Sequence, residues 1–196
     1  MHLDAQNLAK AEAYRLLIGL IVPRPIAWVG TRSLGGRDNL APFSFFMGVS
    51  AEPPSLAISV SRARDGQRKH TSQNILDTGV FTVSAVELPD LDRMHATGAD
   101  WPGSEFEAVG VPAAPGAQVD APWVATARAA MECRLLHHAV IGTTDLIVGQ
   151  IVGFHVDDAI LKNGGIDRDA FAAVARMGGD GYTTLGPFYD RARPRT

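Results

Sequence analysis

Two long apolar stretches, 127–141 and 145–156, stand on either side of Gly142-Thr143-Thr144. Apolar runs of that length with only a tight turn between them read as the two arms of an antiparallel hairpin. The same two-by-two arrangement recurs upstream. Pro23-Arg24-Pro25 imposes an extended start, because the residue before each proline is kept out of the α region. Residues 26–29 continue as a strand, 33–39 (SLGGRDN) supply dense turn chemistry, and 41–50 return, so 26–50 is expected to form a hairpin. Pro53-Pro54 breaks that run, and 55–61 and 81–86 read as further strands. The expected helices are short: 4–17, 68–78 stopped by Gly79 at a C-terminal cap, 88–97, and a last one at about 167–176. Strands outnumber helices and arrive mainly in pairs. That pattern predicts a mainly β chain with short helices, an antiparallel barrel and not a doubly wound parallel sheet. One domain over 1–196 is expected, with an irregular Pro/Gly/acidic excursion at about 98–122.

Composition narrows the function classes. Hydrophobic residues at 46% and charged residues at 20% are those of a chain that folds around a core, which disfavours disorder. A formal net charge of −3 argues against a dedicated nucleic-acid binder. The most apolar run, 16–22, has seven residues before Pro23, against about 20 for a membrane-spanning helix. Asp4 and Glu12 precede that run and no small-residue cleavage site follows, so it does not read as a secretory signal either. The single Cys133 has no disulfide partner in the chain, which favours a cytoplasmic setting. There is no GxGxxG after a strand, no GxxxxGK[ST], no GxSxG and no HExxH. Rossmann dehydrogenases, P-loop NTPases, α/β-hydrolases and zincins are therefore disfavoured.

The stretch richest in chemistry runs from Ser59 through Ser61, Arg62, Arg64, Arg68, Lys69, His70 and Thr71 to Asn74. Here a strand ends in hydroxyls and a guanidinium, and a short helix opens with Lys and Thr. Helix N-termini present unpaired N–H groups and partial positive charge, which stabilise a phosphate. Arg62 and Lys69 would add full charges, and Ser61 and Thr71 short hydroxyl donors. The same residues would also make a solvated basic turn with Thr71 as an ordinary N-cap. The segment Thr31–Phe46 joins a glycine-rich turn to the small or polar Asn39, Ala41 and Ser44, with Phe43, Phe45 and Phe46 beside them. Such a segment either receives a flat ligand against its backbone or simply fills the barrel with aromatics.

The runs PRPIAWVGT (23–31), NLAPFSFF (39–46), AEPPSLAISVSR (51–62) and KHTSQNILDTGVFTVSAV (69–86) closely resemble the flavin reductase-like family. Their nearest likeness is to its flavoredoxin-type branch. The resemblance continues more loosely through AMECRLL (130–136), LIVGQIVGFHVDD (146–158) and VARMGGDGYTTL (174–185). It implies a Greek-key FMN-binding split barrel, reduced by NADH or NADPH, in a homodimer with FMN near the subunit interface. An acceptor enzyme or electron-transfer partner is implied as well, with a flavoredoxin-like electron carrier as the alternative to a reductase. Carried over by position, Thr31, Asn39, Ala41, Ser44 and Phe45 would face the isoalloxazine and ribityl groups. Ser59, Ser61, Arg62, Lys69, Thr71 and Asn74 would surround the ribityl chain and phosphate. Tyr182, in a closing motif with Arg176, Gly178 and Gly179, would either approach the flavin or plug the barrel end. His70, Gly30 and Met47 depart from the family pattern, the last two at the expected floor under the flavin. No side chain is assigned a catalytic role, because the difficult chemistry would belong to the flavin.

The histidines fit no metal site. His137 and His138 are consecutive on a strand, so they point to opposite faces, and His155 on the partner arm is a possible pairing partner for one of them. Cys133 sits among apolar residues and reads as a buried inert thiol.

Overall fold

The computed structural model describes every residue except 64, 193, 195 and 196, so Arg64 of the basic stretch lies outside the described residues. After helix α1 (Lys10–Leu20) the chain runs through β1 (Arg24–Pro25), β2 (Ala27–Arg32), β3 (Asp38–Phe43), β4 (Phe46–Ala51) and β5 (Pro54–Ser61). Helix α2 (His70–Thr78), β6 (Val80–Ser84), α3 (Leu91–Ala96), α4 (Glu105–Val109), β7 (Ala113–Pro115) and β8 (Pro122–Val124) follow. The long arms β9 (Ala129–Ile141) and β10 (Thr144–Val156) come next, then the short β11 (Leu161–Lys162), β12 (Gly165–Ile166), β13 (Ala175–Arg176) and β14 (Tyr182–Thr183).

Seven strands form one sheet in the order β3-β2-β6-β9-β10-β5-β4, and every pairing in it is antiparallel. Its two outermost strands, β3 and β4, are joined by only Ser44 and Phe45, so the sheet has to curl until its ends meet. At that junction Phe45 prolongs the β4–β5 ladder, its carbonyl accepting the Ser59 N–H at 2.9 Å. The crossover from β5 through α2 to β6 carries the chain across the sheet, which gives the split antiparallel Greek-key barrel its topology. Register shifts in the β9–β10 ladder at Val148/Gly149 and Ile151/Gly153 add the local twist that closure requires.

Two cores share strand β2. Ala27 and Val29 face the barrel interior with Phe43, Leu56, Ile58, Val60, Phe81, Val83, Cys133 and Ile147. Trp28 faces an outer core with Ile26, Leu40, Met94, Phe106, Val111 and Val174. Burial on both faces explains why β2 reads as a continuous apolar run. Helix α2 packs on the barrel through Ile75 and ends at Gly79, whose φ of 73° supplies the left-handed cap that the sequence predicts.

Four segments differ from the expectations. The lead-in helix expected over 4–17 instead spans Lys10–Leu20, after a single 3-10 turn at Ala5–Asn7. The strand expected over 41–50 breaks at Ser44-Phe45, and its second half pairs with β5 instead of completing a hairpin with β2. The 98–122 excursion contributes α4, and its Phe106 and Val111 are buried in the outer core. The helix expected at 167–176 does not form. Asp167 closes a turn by accepting the Asp169, Ala170 and Phe171 N–H groups, and the chain then extends so that Val174 bonds Val86 and β13 pairs with β1. Tertiary strand pairing there outweighs the helical propensity of the alanine-rich segment. Among the described residues no helix is long and apolar enough to cross a membrane.

Candidate functional site

Helix α2 opens without a side-chain cap. Its N-cap residue is Lys69, extended at φ −68° and ψ 154°, and not Thr71. The first intrahelical bond runs from the Gln73 N–H to the Lys69 carbonyl, 3.0 Å. The N–H groups of His70, Thr71 and Ser72 therefore have no acceptor among the described residues. Four of the expected ligand residues fix where this helix end sits. Asn39 Nδ2 donates to Thr71 Oγ1 at 3.1 Å and Asn74 Nδ2 to Thr31 Oγ1 at 3.0 Å, and all four are buried. These bonds bind α2 to β2 and β3, so Thr31 and Asn74 act as scaffold. The Thr71 hydroxyl proton stays free to be donated.

Positive charge gathers beside that helix end, and the reason is a buried carboxylate that the sequence reading missed. Asp145, at the start of β10, is 1% exposed and has one oxygen within 2.8 Å of His138 Nε2, 3.3 Å of Arg68 Nε and 3.7 Å of Arg62 Nη2. Burial raises its pKa. The bonds from His138 and Arg68, with the charges of Arg68 and Arg62, outweigh that effect and hold it below its ordinary value. Two guanidinium groups share one carboxylate, so the cluster keeps a positive surplus. Next to it Ser61 Oγ lies 3.5 Å from Thr144 Oγ1, and Lys69 is exposed. A signal for Asp145 was present: it alternates with the buried Ile147 and Gly149, and a charge on the inward face of a strand needs partners.

Of the remaining expected residues, four lie on β3, β5 and the β3–β4 junction. Ala41 and Ser59 are half-buried on β3 and β5, with Phe45 at the junction between them. Ser44 turns to a different space, a cavity of about 430 Å³ that it shares with Tyr182, His95 and Arg176 over a floor including Phe43 and Met94. There the Tyr182 hydroxyl and His95 Nδ1 are 2.9 Å apart, and the Arg176 guanidinium stacks 4.4 Å from the Tyr182 ring centre. The structure thus joins Thr31, Asn39, Thr71 and Asn74 at α2, sets Arg62 on Asp145 and Ser61 beside Thr144, bonds Ser59 to Phe45, and puts Ser44 and Tyr182 on one cavity.

Gly30 and Met47 sit in different surroundings. A Cβ at Gly30 would strike the Pro122 carbonyl and the Thr82 hydroxyl, and Met47 is exposed on the edge strand β4. His155 bonds the buried Glu132 (Nε2 to Oε1, 2.6 Å) and stacks on Trp123, so it meets neither His137 nor His138. Glu132 also accepts the Ala117, Gln118 and Val119 N–H groups, which fixes the loop before β8. Burial raises its pKa, but those N–H groups and His155 together carry it below the ordinary 4.5. Burial, with the adjacent Glu132 charge, pushes the Cys133 thiol up to about 12, so it is not a nucleophile near neutral pH. Among the described residues no three His, Cys, Asp or Glu side chains are grouped to hold a metal.

The curled antiparallel barrel, with the open end of α2 flanked by cations, has the architecture of a split-barrel protein. The chain belongs to the flavin reductase-like family: residues 19–174 match the flavin reductase like domain. Nitrilotriacetate monooxygenase component B from Bacillus cereus superposes with a TM-score of 0.94 at 30% identity, over 97% of this chain and 98% of that one. The 2-nitrobenzoate 2-nitroreductase of Pseudomonas fluorescens gives 0.91 at 28%, over 99% and 96%. The flavoredoxin of Desulfovibrio vulgaris (Miyazaki F) gives 0.77 at 26%, over 98% and 96%.

Proposed function

We propose that this protein is an NAD(P)H-dependent FMN oxidoreductase, built as one domain over 1–196 and working as a cytoplasmic homodimer. The observation that carries the reading is the open end of α2. Three N–H groups without acceptors among the described residues stand beside Lys69 and the Arg62–Arg68 cluster, and these groups fit the phosphate of FMN in donor type and charge. Thr71 and Ser61 donate hydroxyls, while Asn39, Thr31 and Asn74 hold the helix in place. Ala41, Ser44, Phe45 and Ser59 would line the seam along which the ribityl chain and ring extend. Bound there, FMN would supply the hydride-accepting chemistry. The protein orients it, keeps water from one face and surrounds its anionic end with fixed donors.

The 430 Å³ cavity beside Ser44 lies within the usual range for small-ligand sites and favours an enzyme that admits a nicotinamide or an organic acceptor. The exposed Met47 and Val49 on β4 favour the second reading, an electron carrier that presents apolar surface to a protein partner. One experiment separates them. FMN-loaded protein, kept anaerobic, is mixed with NADH or NADPH while the oxidised-flavin absorbance is followed. Rapid bleaching is expected of the reductase. Bound flavin that does not bleach would move the assignment to the carrier, and protein that takes up no FMN would remove both.

A further inference from the structure

Arg24 is 4% exposed, and its guanidinium donates only to neutral oxygens: the carbonyls of Ile18 (2.6 Å), Ile21 (2.8 Å) and Met177 (2.9 Å), and Ser44 Oγ (3.3 Å). Among the described residues it makes no ion pair. A buried charge ordinarily has a counter-charge. Across the β1–β13 ladder its partner is Arg176, a second cation. The carboxylate near Arg176 among the described residues is Asp180, 3.8 Å away and fully exposed. Burial lowers the Arg24 pKa; Tyr14 raises it and Arg176 lowers it again, the mark of two like charges on one rung. Arg176 spends N–H groups on the Gly179 carbonyl (2.8 Å) and, weakly, on that of Asp180 (3.5 Å), which leaves donors over.

Arg176 lines the cavity shared by Ser44 and Tyr182, and Arg24 stands behind it through its bond to Ser44 Oγ. Its floor is apolar and built of Ile26, Phe43 and Met94, each at most 8% exposed. Its polar groups are the Arg176 guanidinium, the Tyr182 hydroxyl, His95 and Ser44, whose Oγ accepts from Arg24. A flat apolar floor with aromatic and thioether surfaces accepts a ring. At one end the Arg176 guanidinium, whose ion pair among the described residues is with the exposed Asp180 at 3.8 Å, keeps N–H donors for an anion.

We propose that this cavity binds a small aromatic carboxylate of one ring, the ring on Phe43 and Met94 and the carboxylate at Arg176 and Tyr182. As an acceptor site the proposal rests on the flavin reading above, since Ser44 links the cavity to the seam. As a binding site it stands apart from that reading, and the test is designed to show the difference.

Benzoate and its neutral isostere benzamide are titrated calorimetrically into the full chain, both flavin-free and FMN-loaded. Benzoate is expected to bind both forms, with benzamide weaker by about tenfold or more, the usual worth of a charge-assisted hydrogen bond. Arg176→Gln should weaken benzoate by a similar factor, and Arg176→Lys should restore part of the loss. Equal affinity for benzoate and benzamide, or no binding of either, would overturn the proposal, and that comparison needs no variant to fold. An unchanged benzoate affinity in Arg176→Gln would overturn it too, as would binding that FMN abolishes, because the cavity would then be part of the flavin's own site. Benzoate binding in a protein that takes up no FMN would leave this site standing and remove the flavin reading instead.

Discussion

Lys69 concentrates the phosphate reading in one side chain. It is exposed, it stands at the N-cap of α2 beside three unaccepted N–H groups, and it has no carboxylate within 4.0 Å among the described residues. Its charge is therefore available to a ligand. Partial exposure limits what it contributes, so Lys69→Ala should weaken FMN binding roughly three- to tenfold. Riboflavin, which has the same ring without the phosphate, should bind the variant and the parent alike. A fluorescence titration with both ligands checks this, and equal weakening of the two would remove the phosphate from this end. At the same scale, the basic turn was legible in the sequence as a run of cations. What lay hidden was Asp145, 83 residues from Arg62 by number and 3.7 Å from it in space, which draws Arg62 and Arg68 together.

Among the elements, the β9–β10 hairpin shows most plainly how packing sets shape. It was evident from two apolar runs around a glycine turn, but its bulges were not, because a bulge is decided by what the strand packs against. At Gly149 a Cβ would enter the Phe81 ring, which is wholly buried in the barrel core. Gly149→Ala should accordingly cost about 1–3 kcal/mol, the usual penalty for overpacking a core. Thermal or urea unfolding of the variant tests it, and an unchanged midpoint would show that Phe81 has room to move. Helix α2 and its Gly79 cap were readable because capping is local. The expected 167–176 helix failed for the opposite reason: its alanines favour a helix, but the free edge of β1 and the Val86 carbonyl offered long-range partners.

Over the whole molecule, two buried carboxylates tie distant parts of the barrel together. Glu132 anchors the loop before β8 and His155, and Asp145 anchors His138, Arg62 and Arg68. Both have folded-state pKa values below the ordinary 4.5 and 3.8. A depressed carboxylate contributes stability that is fully present above its unfolded-state value and is lost as pH falls through its folded-state value. The urea midpoint should therefore stay level from neutrality down to the ordinary carboxylate range and fall steadily below it. A midpoint that held or rose on acidification would mean that neither carboxylate contributes as the structure indicates. In Glu132→Gln, which keeps the shape but not the charge, the fall should be shallower.

By itself the sequence determined what short-range physics determines: paired strands, a helix closed by glycine, a basic turn, and the family likeness carried by contiguous motifs. Periodicity, capping and turn preferences act over a few residues, so they can be read along the chain. The tertiary structure alone decided which of those pieces meet. The Asn39–Thr71 and Asn74–Thr31 bonds, the cluster on Asp145, and the cavity where Ser44, His95, Arg176 and Tyr182 converge all join residues far apart in number. Their contacts depend on how the sheet curls and which register its strands take. Curl and register are set by the packing of the entire core, which no local window of sequence contains.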